Sequence, residues 1–235
     1  RHFKSVDSWA YPHLDDIRRL SWETDVNPTY VEVNFSSTCN FKCSYCSPRV
    51  SSKWMEEIRE HGPYPTGTRF NSIEQLKEFD QLPIPDHEEN PYVEAFWKWW
   101  PDLYRSLKVF RITGGEPLLT PNTFRVLDYI RDNPNPDLQL CINSNLGAPR
   151  QLIEKMIDRL EPITEQGKIG EFVLYTSLDT WCAQAEYIRH GLEFEVFWEN
   201  LRLVLSRLKR MQVVVMSTFN ALSVTNYQPL LKGIL

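Results

Sequence analysis

The sequence predicts an α/β protein whose central parallel sheet forms an open, partial barrel. Short runs typical of strands are separated by longer segments with helical periodicity, and this order is typical of a parallel sheet with helical crossovers. Five strands are found in 235 residues, whereas a closed eight-stranded barrel needs about 250 residues. An incomplete barrel therefore fits both the order and the number of elements.

The predicted elements follow from local patterns along the chain. Residues 31–36 alternate apolar and polar side chains like a half-buried strand. Ser52 is the expected N-cap of the next helix, and Thr120 followed by Pro121 marks another helix start. The predicted strands are 31–36, 108–113, 138–143, 171–177 and 212–219. The predicted helices are 15–20, 51–60, 91–107, 121–133, 149–160, 182–210 with a break near Gly191, and a short one that ends at Leu235.

Composition and charge exclude several classes of protein. The chain has 42% apolar and 24% charged residues, which is ordinary for a globular protein. Its net charge of −5 argues against a general nucleic-acid-binding protein. No apolar run reaches membrane-spanning length, so we expect no membrane partner.

We expect a lead-in segment at 1–30 and a barrel domain at 31–235. The connection at about 61–107 is too long for a simple link between a helix and a strand, so it is an insertion. Aromatic residues at helical spacing in its second half favour packing in a core, with a lid over the substrate as the alternative. These residues are Phe96, Trp97, Trp99, Trp100 and Tyr104.

Three of the five cysteines lie close together, at Cys39, Cys43 and Cys46, with the spacing C-x3-C-x2-C. They follow the first strand, at the edge of the sheet where α/β enzymes place their chemistry. Three thiolates leave the four-coordinate shell of structural zinc incomplete, whereas a 4Fe-4S cluster with three cysteine ligands keeps one iron open. The alternative is a zinc site completed by Cys141, Cys182 or a histidine.

Two motifs together resemble those of the radical S-adenosylmethionine (radical SAM) superfamily. The first is C-x3-C-x-aromatic-C, with Tyr45 at the aromatic position. The second is Thr-Gly-Gly-Glu-Pro at 113–117, which in that family holds the amino group of the methionine. The resemblance covers roughly residues 30–225 and is closest to members with an auxiliary twitch or SPASM-type domain. It implies a six-stranded, (β/α)6-type open barrel, whose last strand we expect beyond Leu235.

The resemblance also implies the cofactors and their chemistry. Cys39, Cys43 and Cys46 would bind a 4Fe-4S cluster, with S-adenosylmethionine on the open iron. An electron from the cluster would cleave S-adenosylmethionine and give a 5′-deoxyadenosyl radical that abstracts hydrogen from a substrate. A reductant such as flavodoxin or ferredoxin would supply the electron. Because the cluster needs free thiolates, a reducing cytoplasm is the expected location.

Further cofactor-binding residues are expected at the carboxyl ends of the strands. Related enzymes use a serine, an aspartate and an arginine there, and Ser177, Asp179 and Arg189 have a similar spacing. The aspartate would bind ribose hydroxyls and the guanidinium a carboxylate, with a capping serine and a solvated arginine as the alternative. The full expected set is Tyr45, Thr113, Gly114, Gly115, Glu116, Pro117, Ser144, Asn145, Ser177, Asp179, Arg189, Asn220 and Leu222.

Within the glycine-rich motif, Gly114 and Gly115 are expected to let the backbone approach the cofactor closely, where a side chain would collide. Glu116 is expected to face an ammonium group. Two further cysteines, Cys141 and Cys182, are expected to be buried and inert, with hydrogen-atom donation as the alternative. Two thiols alone cannot anchor a second cluster.

These observations predict a radical SAM enzyme, either an oxidoreductase or another modifying enzyme. We expect a peptide or a small polar molecule as its substrate, and the acidic charge disfavours a nucleic acid. One alternative is the modification of a sugar- or nucleotide-derived metabolite. Another, from a different class, is a metal-stabilised interaction module that uses the tryptophan-rich insertion as its interface.

Overall fold

A parallel sheet of five strands forms the centre of the protein. The computed structural model describes residues 14–65, 67 and 71–235. The strands are β1 (Tyr30–Asn34), β2 (Lys42–Cys43), β3 (Val109–Thr113), β4 (Asn135–Ser144), β5 (Ile169–Ser177), β6 (Arg189–His190) and β7 (Gln212–Met216). The sheet has the order β1-β3-β4-β5-β7 with parallel pairing throughout, and β2 pairs with β6 in a separate antiparallel ribbon. The predicted α/β class with a parallel central sheet is confirmed.

Helices separate the strands, as the crossover pattern predicts. They are α1 (Leu14–Arg19), α2 (Ser52–His61), α3 (Ile73–Glu78), α4 (Pro91–Ser106), α5 (Pro121–Asp132), α6 (Arg150–Glu165), α7 (Ala183–Ile188), α8 (Phe194–Arg207) and α9 (Tyr227–Ile234). Thr120 caps α5, because its hydroxyl accepts a hydrogen bond from the Asn122 amide. Within the described ranges, no helix combines the length and the apolar character that a bilayer span requires.

The two faces of the sheet differ in chemistry. Phe110 and Ile112 on β3 are fully buried in the hydrophobic core with the helices, whereas Arg111 between them points to the opposite face. The same alternation and the strand register place polar side chains across that second face, which we call the inner face. The inner face carries Tyr30, Glu32, Arg111, Gln139, Asn143, Glu171 and Tyr175.

Some local features differ from the sequence-based prediction. The helix expected at 149–160 continues to Glu165, because Ile163 beyond the predicted end is buried in the core. Helix α3 and the strands β2 and β6 were not predicted, since elements this short show no clear periodicity. The first 13 residues of the lead-in lie outside the described part of the chain.

The insertion packs against the sheet through helix α4. Trp100 is 1% exposed, and its ring centre lies 4.7 Å from that of Phe110 and 5.2 Å from that of Tyr104. The ring of Phe96 contacts both Trp100 and Phe110. The aromatic residues of α4 therefore belong largely to the core, as their helical spacing predicts.

The stretch before α4 lies beside the cysteine loop. The Arg49 guanidinium donates a hydrogen bond of 2.8 Å to the Gln81 side chain. The Thr38 hydroxyl donates one of 2.8 Å to the Asp86 carboxylate. Because positions 38 and 49 flank the three clustered cysteines, these two bonds bring the insertion next to them.

Replacing Trp100 with alanine should lower the free energy of unfolding by about 3–5 kcal/mol, because the variant loses a buried indole and gains a cavity. Trp99 on the same helix is 41% exposed and is the matched control. Trp99→Ala should cost about 1 kcal/mol, the typical loss for a point substitution. Urea denaturation followed by circular dichroism measures both values. Equal losses would contradict the packing of α4 on the sheet through Trp100.

Candidate metal and cofactor site

Main-chain hydrogen bonds attach the cysteine loop, residues 36–46, to the turn after β3. The Gly115 amide donates to the carbonyl of Ser36 at 3.1 Å, and the Glu116 amide donates to that of Thr38 at 2.8 Å. Together they place the loop directly on the carboxyl edge of the sheet.

Helix α2 and strand β6 hold the other side of the loop. The Ser52 hydroxyl accepts a hydrogen bond from the Cys39 amide at 3.1 Å and donates one to the Cys39 carbonyl at 3.2 Å. Ser52 thus anchors the loop, while Ser51 precedes the helix as its N-cap residue, so the predicted cap is wrong. Antiparallel pairing of β2 with β6 sets Cys43 opposite Arg189.

The three thiols of the loop line one cavity of about 230 Å³ at the carboxyl edge of the sheet. The predicted residues that line it are Cys39, Cys43, Cys46, Tyr45, Thr113, Gly114, Gly115, Ser144, Asn145, Ser177 and Arg189. The predicted residues outside its wall are Glu116, Pro117, Asp179, Asn220 and Leu222. A larger cavity of about 450 Å³ lies at the amino ends of β5 and β7, away from these thiols. Since parallel sheets bind ligands at the carboxyl ends of their strands, the smaller cavity is the candidate site.

The donor chemistry of the cavity fits an iron–sulfur cluster. Burial raises the pKa of Cys39 to about 11 and also raises the pKa of Cys43 and of Cys46, and none of the three forms a disulfide. In the described part of the chain, no three His, Cys, Asp or Glu side chains converge closely enough to hold a single metal ion. The three free thiols line one cavity, as a cluster with three cysteine ligands requires, and iron would displace the protons that burial favours on them.

Gly114 and Gly115 are required by the packing of the chain on itself. A Cβ atom on Gly114 would lie 2.3 Å from Oδ1 of Asn34, and one on Gly115 would lie 2.2 Å from the carbonyl oxygen of Thr38. Gly114 also has a φ of +121°, a conformation that favours glycine. The nearest obstacle is the Asn34 side chain for Gly114 and the cysteine loop for Gly115, while close approach of the cofactor to this turn stays a prediction.

Glu116 does not line the cavity, and its carboxyl group is bound by the protein instead of being open to the expected ammonium group. Its side chain is buried and accepts hydrogen bonds from the Ser144 hydroxyl at 2.9 Å and from the amides of Asn145 at 2.7 Å and Leu118 at 3.1 Å. Burial raises the pKa of Glu116 to about 7, although these hydrogen bonds oppose the rise. The carboxyl group joins the glycine turn to the end of β4.

Asp179 and Arg189 bind each other, which differs from the expected contacts with ribose and with a ligand carboxylate. The Arg189 Nε and Nη2 atoms donate to the two oxygens of the buried Asp179 carboxylate at 2.8 and 3.0 Å. The Tyr45 hydroxyl and the Thr218 amide donate to the same carboxylate at 2.8 and 2.7 Å. Four donors occupy Asp179, so it holds the protein together at this point.

Asn220 and Leu222 do not reach the cavity. Oδ1 of Asn220 accepts a hydrogen bond of 2.8 Å from the Leu222 amide, which closes a local turn. Leu222 is 43% exposed and does not line the cavity, so an apolar wall for an adenine at this residue stays a prediction. Pro117 is buried at the start of a short 3₁₀ turn and has a structural position.

Five cavity-lining residues were missed by the sequence analysis: Phe41, Val50, Asn143, Met216 and Thr218. Met216 ends β7 and shares a face with Val214, and Asn143 shares a face with Cys141 on β4. Asn143 is the last residue of the predicted strand 138–143, so its place at the carboxyl edge was a signal that the sequence offered. Met216 was hidden because the predicted strand 212–219 runs three residues beyond the observed end of β7. Thr218 lies after the strand, where no periodicity indicates the direction of a side chain.

Comparison with known proteins agrees with this geometry. The family model described as Radical SAM superfamily matches residues 33–220, which is most of the chain and includes both motifs. The chain belongs to the radical SAM superfamily. Members of this superfamily use a 4Fe-4S cluster and S-adenosylmethionine, and membership indicates an enzyme.

Curated relatives of this radical SAM chain are named GTP 3′,8-cyclase. One from Nautilia profundicola is 26% identical over 129 residues, covering 55% of the chain and 31% of the relative. One from Sulfurimonas denitrificans is 26% identical over 161 residues, covering 64% of the chain and 41% of the relative. One from Nostoc sp. is 30% identical over 121 residues, covering 51% and 29%. The chain thus matches less than half the length of each relative.

Replacing Glu116 with glutamine should make stability less dependent on pH. Because folding raises the pKa of this carboxyl from 4.5 to about 7, the wild-type free energy of unfolding falls as pH rises through that range and is level above it. The fall approaches about 3 kcal/mol, at about 1.4 kcal/mol per pKa unit. Glutamine cannot take up this proton. Urea denaturation between about pH 5 and about pH 8 should therefore show that the free energy of unfolding of Glu116→Gln rises relative to that of wild type as the pH increases.

A control substitution for this experiment is Glu56→Gln, at an exposed position on α2. It removes a carboxylate without touching the buried site. A stability difference between wild type and Glu116→Gln that stays constant with pH would contradict the raised pKa.

Proposed function

We propose that the protein is a radical SAM enzyme in which Cys39, Cys43 and Cys46 bind a 4Fe-4S cluster and the adjoining cavity receives S-adenosylmethionine. The observation that carries this proposal is the presence of three free thiols and the Gly114–Gly115 turn on one cavity wall. When bound, the cluster supplies the electron that cleaves S-adenosylmethionine to a 5′-deoxyadenosyl radical. A reductant such as flavodoxin or ferredoxin would supply this electron to the cluster.

The residues of this chain bind and orient the cofactor in this proposal. Thr113, Ser144, Asn145 and Ser177 supply polar groups along the cavity wall for the polar end of S-adenosylmethionine. The ring of Tyr45 is partly exposed while its hydroxyl is held by Asp179, so it offers a fixed flat surface to an adenine.

The side chains on the inner face of the sheet are suited to a small anionic substrate. Arg111 lies one layer below the cavity, and its Nε donates to the Asn143 side chain at 2.9 Å while its guanidinium sits 4.3 Å from the ring centre of Tyr175. Its Nη2 atom lies 3.6 Å from the Met216 sulfur. Asn143 and Met216 both line the cavity, so Arg111 is continuous with the cofactor site. Glu32 on the same face lies 3.9 Å from Nε of Arg111, too far for a hydrogen bond, so the guanidinium remains able to bind a phosphate or carboxylate in competition with it.

These contacts fit any small anionic substrate, and the names of the relatives place a nucleotide or a phosphorylated sugar before a peptide in the proposal. The relatives are named for GTP, a small anionic nucleotide, and the proposal takes that chemistry as its first substrate class. This reverses the order expected from the sequence, where a peptide came first. The interaction module considered from the sequence is not proposed, because the family is one of enzymes.

The domain organisation and location of the protein are part of the same proposal. The lead-in at 1–30, the open partial barrel at 31–235 and the insertion at about 61–107 remain predictions, as does kinship with twitch or SPASM-type proteins. A cytoplasmic location is proposed from the need of the cluster for reduced thiols.

Alanine at any one of Cys39, Cys43 and Cys46 should abolish the brown colour of anaerobically reconstituted protein and its release of 5′-deoxyadenosine from S-adenosylmethionine with dithionite. Each thiolate is one of only three ligands in the proposal. Cys141→Ala and Cys182→Ala are the matched controls, because neither residue lines the cavity, and both variants should hold wild-type iron and sulfide. Cys141 is buried as expected, whereas the expected burial of Cys182 is wrong because its side chain is exposed. Full activity of Cys43→Ala would contradict the assignment.

Arg111→Gln should weaken binding of an anionic substrate by roughly tenfold or more, the effect of losing a hydrogen bond to a charged group. The probe is GTP, with ATP and glucose 6-phosphate beside it, and equilibrium dialysis against reconstituted protein measures affinity. Release of 5′-deoxyadenosine without substrate should remain at the wild-type level. Equal affinity of wild type and variant for every probe would contradict a substrate site at Arg111.

A further inference from the structure

The pair of Asp179 and Arg189 leaves one guanidinium nitrogen directed at the cysteine loop. Arg189 uses Nε and Nη2 on the two carboxylate oxygens. Its Nη1 atom lies 3.8 Å from the Sγ atom of Cys43, within hydrogen-bonding distance for sulfur. The side chains of Arg189 and Asp179 are 7% and 0% exposed, so little water competes for these bonds.

Two independent links fix the guanidinium relative to the sulfur. The Tyr45 hydroxyl and the Thr218 amide also donate to Asp179, so the carboxylate that orients Arg189 is itself held in place. The pairing of β2 with β6 sets Cys43 opposite Arg189 along the backbone. The contact between Nη1 and Sγ therefore follows from both side-chain and main-chain geometry.

This arrangement leaves Arg189 little capacity to clamp a ligand carboxylate. A bidentate clamp needs two parallel N–H groups from the guanidinium, and Asp179 already binds two of its three nitrogens. The remaining nitrogen is the one beside Cys43. The position of this nitrogen points to an interaction between Arg189 and the Cys43 thiolate.

We propose that Arg189 is a positioning residue whose hydrogen bond to the Cys43 thiolate raises the reduction potential of the bound cluster. This rests on the proposed function, because Cys43 must be a cluster ligand. Reduction adds negative charge to the iron–sulfur unit, so a donor aimed at a ligand sulfur stabilises the reduced form more than the oxidised form. Asp179 offsets the charge of Arg189, so the effect comes from the directed N–H group.

The test is a redox titration of the anaerobically reconstituted protein without S-adenosylmethionine, followed by the EPR signal of the reduced cluster. Arg189→Lys keeps a positive charge beside Asp179 but loses the branched group that reaches Cys43. The double variant Asp179→Asn with Arg189→Gln leaves no buried charge unpaired. Both should show a lower midpoint potential, and a tenfold change in the reduction equilibrium corresponds to about 59 mV for one electron.

His190→Ala is the control, because it changes an exposed neighbour on β6 and should keep the wild-type midpoint. A lower midpoint in either variant with full iron and sulfide supports the proposal. An unchanged midpoint potential in variants with full iron and sulfide overturns the proposal. Failure of both variants to assemble a cluster also overturns it, because Arg189 would then act in assembly alone. A wild-type chain without iron and sulfide would overturn the proposed function as well, and elemental analysis separates that case.

Discussion

The close approach of the cysteine loop to the Gly114–Gly115 turn is the constraint on which the site depends. A Cβ atom at position 115 would lie 2.2 Å from the Thr38 carbonyl oxygen, a distance that no real contact allows. The direction of the three thiols is therefore set by a turn that lies far from them in sequence. A side chain at this position would force the loop away from the sheet and change the cavity.

Two buried carboxyl groups extend this constraint around the cavity. Glu116 joins the glycine turn to the end of β4, and Asp179 joins the cysteine loop, through Tyr45, to β6 and to the segment after β7. Each accepts hydrogen bonds from several donors, which offsets the free-energy cost of removing a carboxylate from water. Their role is to hold the walls together, while the serines, asparagines and thiols line the cavity itself.

The two faces of the sheet have different roles, one in stability and one in chemistry. Its outer face buries apolar side chains against the helices, and the aromatic cluster of α4 extends this core. Its inner face carries Arg111, Asn143 and Tyr175 in mutual contact just below the cavity. A cofactor at the carboxyl edge and a substrate one layer deeper would thus share one polar surface, which brings the reacting groups close together.

The sequence by itself determined the α/β class, the order of the long strands and helices, and the position of three thiols at the carboxyl edge of the sheet, because periodicity and residue spacing are local properties. Only the tertiary structure decided which polar residues face the cavity. Glu116 and Asp179 were expected there and are buried among donors, while Asn143 and Met216 form part of the wall. The direction of a side chain at a strand end depends on partners from distant parts of the chain, and no local pattern records them.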